Sequence, residues 1–397
     1  MRTKDLKQVA VELHTASSQS SNSPTPSYGA NSLEDATQKH YRLAEHYDQL
    51  LSKARMIPGF ESFLRPRKAS ELVRAAKIGS MVVINVHASR CDALILLPGK
   101  AKIEHVPLPE FSQPKARPAR DHIEESLHRQ NLREHRSFEV DELPHITWRT
   151  TGSLSFLPLH ASGLYNHSQA KLSDFAISYY TPTLSVMLAT HLVPSHANTG
   201  ILGVSQEATS GQAPLPGTKE ELTAIQKHIQ TPLQCTQLND QHATTAAVLA
   251  GMEKHTWVHL ACHAHQNLED PTESGFFLYD GTLTLKKIIE NAFKKKGSAF
   301  LSACQTAKGD KTLPDEAVHL ASGMLMAGYP SVIATMWSVV DEDAPVIADK
   351  VYGYLLRGGK LEHKDATKAL HIAVNELRNK IGERAFERWV PYIHIGV

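Results

Sequence analysis

The sequence is poor in several things that would settle its class at once. It has four cysteines in 397 residues, Cys91, Cys235, Cys262 and Cys304, with no CxxC pair and no dense spacing. That excludes a small disulfide-stapled secreted scaffold and leaves each thiol open to chemistry. No apolar run approaches the ~20 residues that a membrane span needs, and the opening MRTKDLKQVAVELHTASSQSSNSP lacks the apolar core of a secretory signal. The expected compartment is therefore cytoplasmic. Charge of either sign is not in excess: 42 basic residues face 41 acidic ones, so a bulk polyanion such as nucleic acid is not an expected partner. There is no GxxxxGK[ST], no GxGxxG and no GxSxG, which removes the common phosphate-cradling and serine-hydrolase signatures.

What is present changes along the chain. Residues 15–30, TASSQSSNSPTPSYGA, carry almost no large apolar groups, so residues 1–32 are expected to be disordered. A polar helix is expected from Leu33 to about Lys53 and a short one over ASELVRAAKIG, ending at Gly79. SMVVINVHAS, CDALILL and KIEHVPL read as strands of a small antiparallel sheet, so residues 33–111 form an N-terminal helical and small-sheet extension. Residues 112–147 are charged and poorly patterned, a linker or surface insertion.

From residue 148 to 397 the pattern alternates. ILGVS, LQCTQL, WVHLAC, AFLSAC, SVIATMW and PYIHIGV are short apolar runs separated by helix-like stretches. That alternation predicts an α/β fold with a doubly wound, mostly parallel sheet and helices on both faces. Thr284 and Asp343 stand at N-cap positions, and Gly328 followed by Pro330 closes a helix.

Chemistry in such a sheet lies beyond the carboxyl ends of its strands. WVHLACHAHQN delivers His263 to that edge, and SAFLSACQTAKGD delivers Cys304. A right-handed crossover between the two strands would align their ends. Cys304 could then act as a thiolate nucleophile and His263 as its acid–base partner. The backbone N–H groups of Ala264 and Cys304 are candidates for holding the oxyanion. The plain alternative is that Cys304 is a small buried hydrophobe at a strand end. Cys262, one residue from His263, is expected to point into packing. Zinc is a weaker alternative: His259 and His263 share a strand face but stand ~13 Å apart at ~3.3 Å per residue. The lysines at 294–296 read as a solvated helix end.

These blocks resemble the CHAT domain family, a caspase-like module often found beside tetratricopeptide repeats. The resemblance runs from Trp148 to Val397 through TGSLSFLPLHASGLY, its opening hairpin, then SYYTPTLSVM, APLPGTKEEL, VHLACHAHQN, SGFFLYDGTLTLKKI, FLSACQTAKGD and RWVPYIHIGV. Its wording is similar to fungal members. The resemblance implies a caspase-like fold and a cysteine endopeptidase acting on a protein substrate without cofactor or metal. It places His263 and Cys304 on the family's catalytic pair and implies a setting in fungal immunity-like or regulated cell death signalling, with an activating protein partner. A catalytically inactive scaffold of the same fold is the other reading. Ala264 replaces the family's usual glycine, and no tetratricopeptide array precedes the domain. Asp315, Glu316, Trp337 and Asp341 are candidate substrate-pocket residues, the acids equally suited to capping a helix.

Overall fold

The protein is described from a computed structural model, which covers residues 9, 12, 30–57, 63–65, 68–77, 79–87, 89–100, 102–112, 143–163, 165, 171–190, 200–231, 233–267, 270–291, 293–303, 320–358 and 361–396. Most of the segment expected to be disordered and most of the charged linker lie outside these residues. The chain divides into two compact units, Met1–Ala69 and Ser70–Val397. The first carries helix α1 (Ala30–Arg55), where a polar helix over 33–53 is expected. Arg55 Nε closes its end by donating to the Phe63 carbonyl at 2.8 Å.

The second unit is built on one sheet of eleven strands. Its strands are β1 (Ser80–Val86), β2 (Cys91–Leu96), β3 (Ile103–Pro107), β4 (His145–Thr150), β5 (Ile177–Tyr180), β6 (Ile201–Ser205), β7 (Cys235–Asn239) and β8 (Trp257–Ala261), followed later by β12, β13 and β14. Between them β9 (Ala264–His265), β10 (Gly275–Leu278) and β11 (Gly281–Thr284) form a separate small sheet; β12 is Ser298–Ser302, β13 Ser331–Thr335 and β14 Tyr392–Gly396. The spatial order in the large sheet is β3-β2-β1-β4-β5-β14-β13-β12-β8-β6-β7. β1 to β3 pair antiparallel, as the sequence suggests, but β1 also pairs parallel with β4. The N-terminal strands therefore extend the main sheet. Over 151–163, where a hairpin is expected, the described antiparallel pairing is a single bridge between Gly163 and Lys171. The stretch makes the 3₁₀ turns Gly152–Phe156 and Leu159–Ala161, entered through Gly152 at φ +58°.

Besides α1 and the single turns Ala69–Leu72 and Phe386–Trp389, the described helices are α2 (Leu184–Thr190), α3 (Gly217–His228), α4 (Thr245–Lys254), α5 (Leu285–Asn291), α6 (Leu320–Met326), α7 (Ala344–Leu356) and α8 (Ala366–Ile381). Successive strand residues point to opposite faces, and both faces are apolar. Ile201, Trp257, Phe300, Ile333 and Tyr392 pack with residues of α3, α7 and α8. Leu202, Val258, Leu301, Val332 and Ile393 pack with residues of α4, α5 and α6. Strands buried on both sides require such unbroken apolar runs. Gly328, at φ +108°, ends α6 in a conformation that suits glycine.

The lysine run departs from expectation. Lys294 and Lys295 are exposed, but Lys296 is buried, and its ammonium donates to the carbonyls of Met252, Glu253 and His255 at the end of α4. These are carbonyls that a helix leaves unpaired at its C-terminus, so one lysine caps them together. Burial pushes its pKa down to about 8 against the opposing pull of Glu253.

Candidate active site

β7 follows β6 on one side of the sheet, whereas β8 lies on its other side and leads on to β12 and β13. The strand order thus reverses between β6 and β8, the place where open sheets of this kind bind ligands at their carboxyl ends. His263 stands two residues beyond the end of β8 and is half-buried. Its Nε2 lies 2.7 Å from the carbonyl oxygen of Ala213. A carbonyl oxygen only accepts, so Nε2 carries the proton, and in the neutral ring Nδ1 carries the lone pair. The backbone contact thereby selects the tautomer.

Ala213 sits on the loop from β6 to α3, and the loop is held at several points. Gln206 N–H donates to the Ala261 carbonyl at 2.9 Å, and Leu215 N–H closes the loop on the Glu207 carbonyl at 2.9 Å. Glu207 N–H reaches the Asp240 carboxylate at 3.1 Å, and Lys219 bridges Glu207 and Asp240. At the start of α3, Gly217 N–H donates to Asp341 Oδ2 at 2.7 Å. Only glycine fits there, because a Cβ on residue 217 would lie 2.5 Å from the Asp341 carbonyl oxygen.

The other residues singled out in the sequence fall as follows. Ala264 lies in β9 opposite Phe276. Phe277 N–H donates to the His263 carbonyl at 2.8 Å, which makes 263 and 277 a hydrogen-bonded pair of the antiparallel ladder. Alternation then turns the N–H of Ala264 away from β10. Alanine in place of glycine imposes no strain: the described non-glycine residues at positive φ are Leu64, Asp240 and Lys295. Trp337 is half-buried with Nε1 donating to the Glu387 carbonyl at 3.1 Å. Asp341 holds the start of α3, so its carboxylate is already occupied. Cys304, Asp315 and Glu316 lie outside the described residues. β12 registers with β8 so that Ser302 partners Ala261.

The three described cysteines are poor nucleophile candidates. Cys262 is fully buried in the core, and Cys91 is buried. Burial pushes the Cys235 thiol up to about 11, with a bond to Gln237 opposing it. Four other polar groups stand on the segments beside His263, and of these the sequence offers only His265, as a possible metal ligand. Gln206 Oε1, Thr209 Oγ1, His265 Nδ1 and Gln266 Nε2 are buried without a hydrogen-bond partner among the described residues, all on the two segments that flank it. Such atoms are uncommon and ask for an explanation. Sequence reasoning missed Glu221, on α3, whose Oε2 lies 3.0 Å from Nε2 of the fully buried His259.

A mostly parallel sheet with helices on both faces, carrying this histidine at its switch point, has the fold of the caspase-like cysteine peptidases. Two structures of the Saccharomyces cerevisiae separase–securin complex resemble it. One has a TM-score of 0.57 at 10% identity, over 83% of this chain and 30% of that chain. The other has a TM-score of 0.55 at 11% identity, over 83% and 31%. RgpB of Porphyromonas gingivalis, in a complex of its pro- and mature domains, is more distant, with a TM-score of 0.47 at 9% identity over 65% of each chain. At these identities the likeness is of fold alone, and this chain spans under a third of the separase chain's length. The family model for the CHAT domain matches residues 119–397. The chain belongs to the CHAT domain family. Comparison with curated protein sequences finds no match.

Proposed function

We propose that the chain is a caspase-like cysteine endopeptidase in which Cys304 attacks a peptide carbonyl and His263 moves the proton. One observation carries this reading: the Ala213 carbonyl holds Nε2–H of His263 at 2.7 Å, leaving Nδ1 to exchange a proton with a thiol. The strand register supports it, because His263 and Cys304 each stand two residues past a registered pair, Ala261 and Ser302. In the first step the thiolate sulfur bonds to the carbonyl carbon, and the carbonyl π electrons move to oxygen. The N–H groups of Ala264 and Cys304 are assigned to that oxyanion. The imidazolium then protonates the leaving amine as the C–N bond breaks, giving a thioester. Water, losing a proton to the neutral imidazole, attacks the thioester, releases the carboxylic acid and restores the thiol.

The unpaired polar atoms on both sides of His263 suit an extended peptide, which carries a donor and an acceptor at nearly every residue. A protein substrate, an activating protein partner, a cytoplasmic location and a fungal cell-death setting belong to this proposal through sequence resemblance. The separase structures, which are complexes with securin, give a precedent for a protein partner of a chain with this fold.

The test is labelling with an iodoacetamide probe, read by mass spectrometry, in wild type, Cys304→Ala and His263→Ala. Selective labelling at Cys304 that collapses in His263→Ala is the expected result. Equal, slow labelling of all four cysteines, indifferent to His263, would overturn the enzyme reading and leave a scaffold.

A further inference from the structure

β8 carries His259, and His263 follows two residues past its end; each is tied to the same neighbouring element. His263 meets Ala213, in the loop leading into α3. His259, fully buried, meets Glu221, one turn into α3 and 1% exposed. Tyr352 of α7 closes the inner site, its hydroxyl 3.4 Å from His259 Nδ1. Burial holds that phenol well above its ordinary pKa, so it stays protonated and donates to Nδ1. Nε2 of His259 then carries the proton donated to Glu221. The ring packs against Phe300, at 4.7 Å between centroids, and Tyr352, at 5.7 Å.

A buried carboxylate and imidazole have little freedom of arrangement. Removing one leaves the other's polar atoms unpaired, so the pair fixes how far α3 sits along β8. The outer contact needs the same register, because the Ala213 carbonyl must meet one ring nitrogen at hydrogen-bond distance. We infer that Glu221 and His259 are positioning residues: a buried latch that sets α3 on β8 so that the Ala213 carbonyl meets Nε2–H of His263. The catalytic meaning of the latch rests on the proposed Cys304–His263 dyad; the latch itself does not.

The test compares Glu221→Ala, Glu221→Gln and Met324→Ala with wild type. Met324 is fully buried among the residues packed on the opposite face of the sheet, so its truncation controls for lost stability. The first readout is the ring ¹⁵N spectrum of His263, assigned by its loss in His263→Gln. Wild type should show the Nε2–H tautomer. Glu221→Gln keeps an acceptor for His259 and should preserve that signature, and Glu221→Ala should mix the tautomers. Met324→Ala should leave them unchanged even at equal loss of melting temperature. If Glu221→Ala does not fold, Glu221→Asp, one methylene shorter, takes its place. A wild-type tautomer in Glu221→Ala or Glu221→Asp, or an equal change in Met324→Ala, would overturn the inference. The second readout is the pH profile of Cys304 alkylation, expected to move with the tautomer and to lose about tenfold or more in rate. If wild-type Cys304 reacts no faster than a free thiol, the dyad reading fails while the tautomer result still decides the latch.

Discussion

The interior of the sheet and its β3 edge are built to different rules. β6, β8, β12, β13 and β14 are buried at every residue. β3 is exposed along nearly its whole length, and β1 and β2 are only partly covered. Hydrogen bonding is continuous across the sheet, so backbone pairing does not make the difference; cover on the faces does. The strands with helices on both sides are also the ones whose carboxyl ends hold His263 and the Ala213 loop. A site that must hold a ring nitrogen to a carbonyl at 2.7 Å stands on the part of the sheet least able to move.

Acidification should break this contrast most strongly. His160, His371 and His394 line one small cavity near β5, β14 and α8. Burial, the leading cause for each, pushes their pKa values down to about 4, 4 and 3 from the usual 6.5. Between those values and 6.5 the unfolded chain binds more protons than the folded one. Stability is therefore fully present above pH 6.5 and lost as pH falls, each group adding a slope approaching about 1.4 kcal/mol per pH unit. Urea unfolding at pH 7 and pH 5 should show a marked fall in midpoint. An unchanged midpoint would mean that these rings are not held neutral.

Truncation at the centre comes next. Leu260→Ala, in β8 and fully buried, should cost about 3–4 kcal/mol in denaturant unfolding, and a loss under 1 kcal/mol would contradict the packing described. Asp343, with a side chain 3% exposed, accepts from Arg388 Nε at 2.7 Å and from its Nη2. Its replacement by alanine should cost about 2 kcal/mol. The smallest effect belongs to the outer edge. Val106→Thr, at a β3 position 38% exposed, should shift stability by no more than about 0.5 kcal/mol. A larger loss there would erase the distinction between the interior and the β3 edge.

The same contrast explains what could be read in advance. Strands buried on both faces have to be apolar throughout, so ILGVS, WVHLA and SVIAT announced themselves, and so did the helices between them, although Asp343, at the N-cap of α7, gives its carboxylate to Arg388 and not to the helix. β1 to β3 were recognisable as strands, but the parallel pairing of β1 with β4 joins segments about 65 residues apart, as does the bond from Val86 N–H to Thr151 Oγ1 beside it, and leaves no local pattern. The histidine was legible from its place at a strand end. Its partner was not, because a backbone carbonyl has no residue signature and Ala213 is an ordinary loop alanine. Glu221 was hidden for a related reason: on a helix it reads as a solvent-facing acid, and only its pairing with His259, 38 residues away, explains its burial. The lysine run misled in the opposite direction, since composition could not separate Lys296 from its exposed neighbours.

Lys296 also makes the protein its own reporter. Buried, with its ammonium against three carbonyls, Lys296 is shielded from an acylating reagent until the end of α4 opens. Lys294 and Lys295, both exposed, react without that opening. The ratio of modification at 296 to that at 294 and 295 is thus an internal clock for local opening beside β8, readable by mass spectrometry on the unaltered chain.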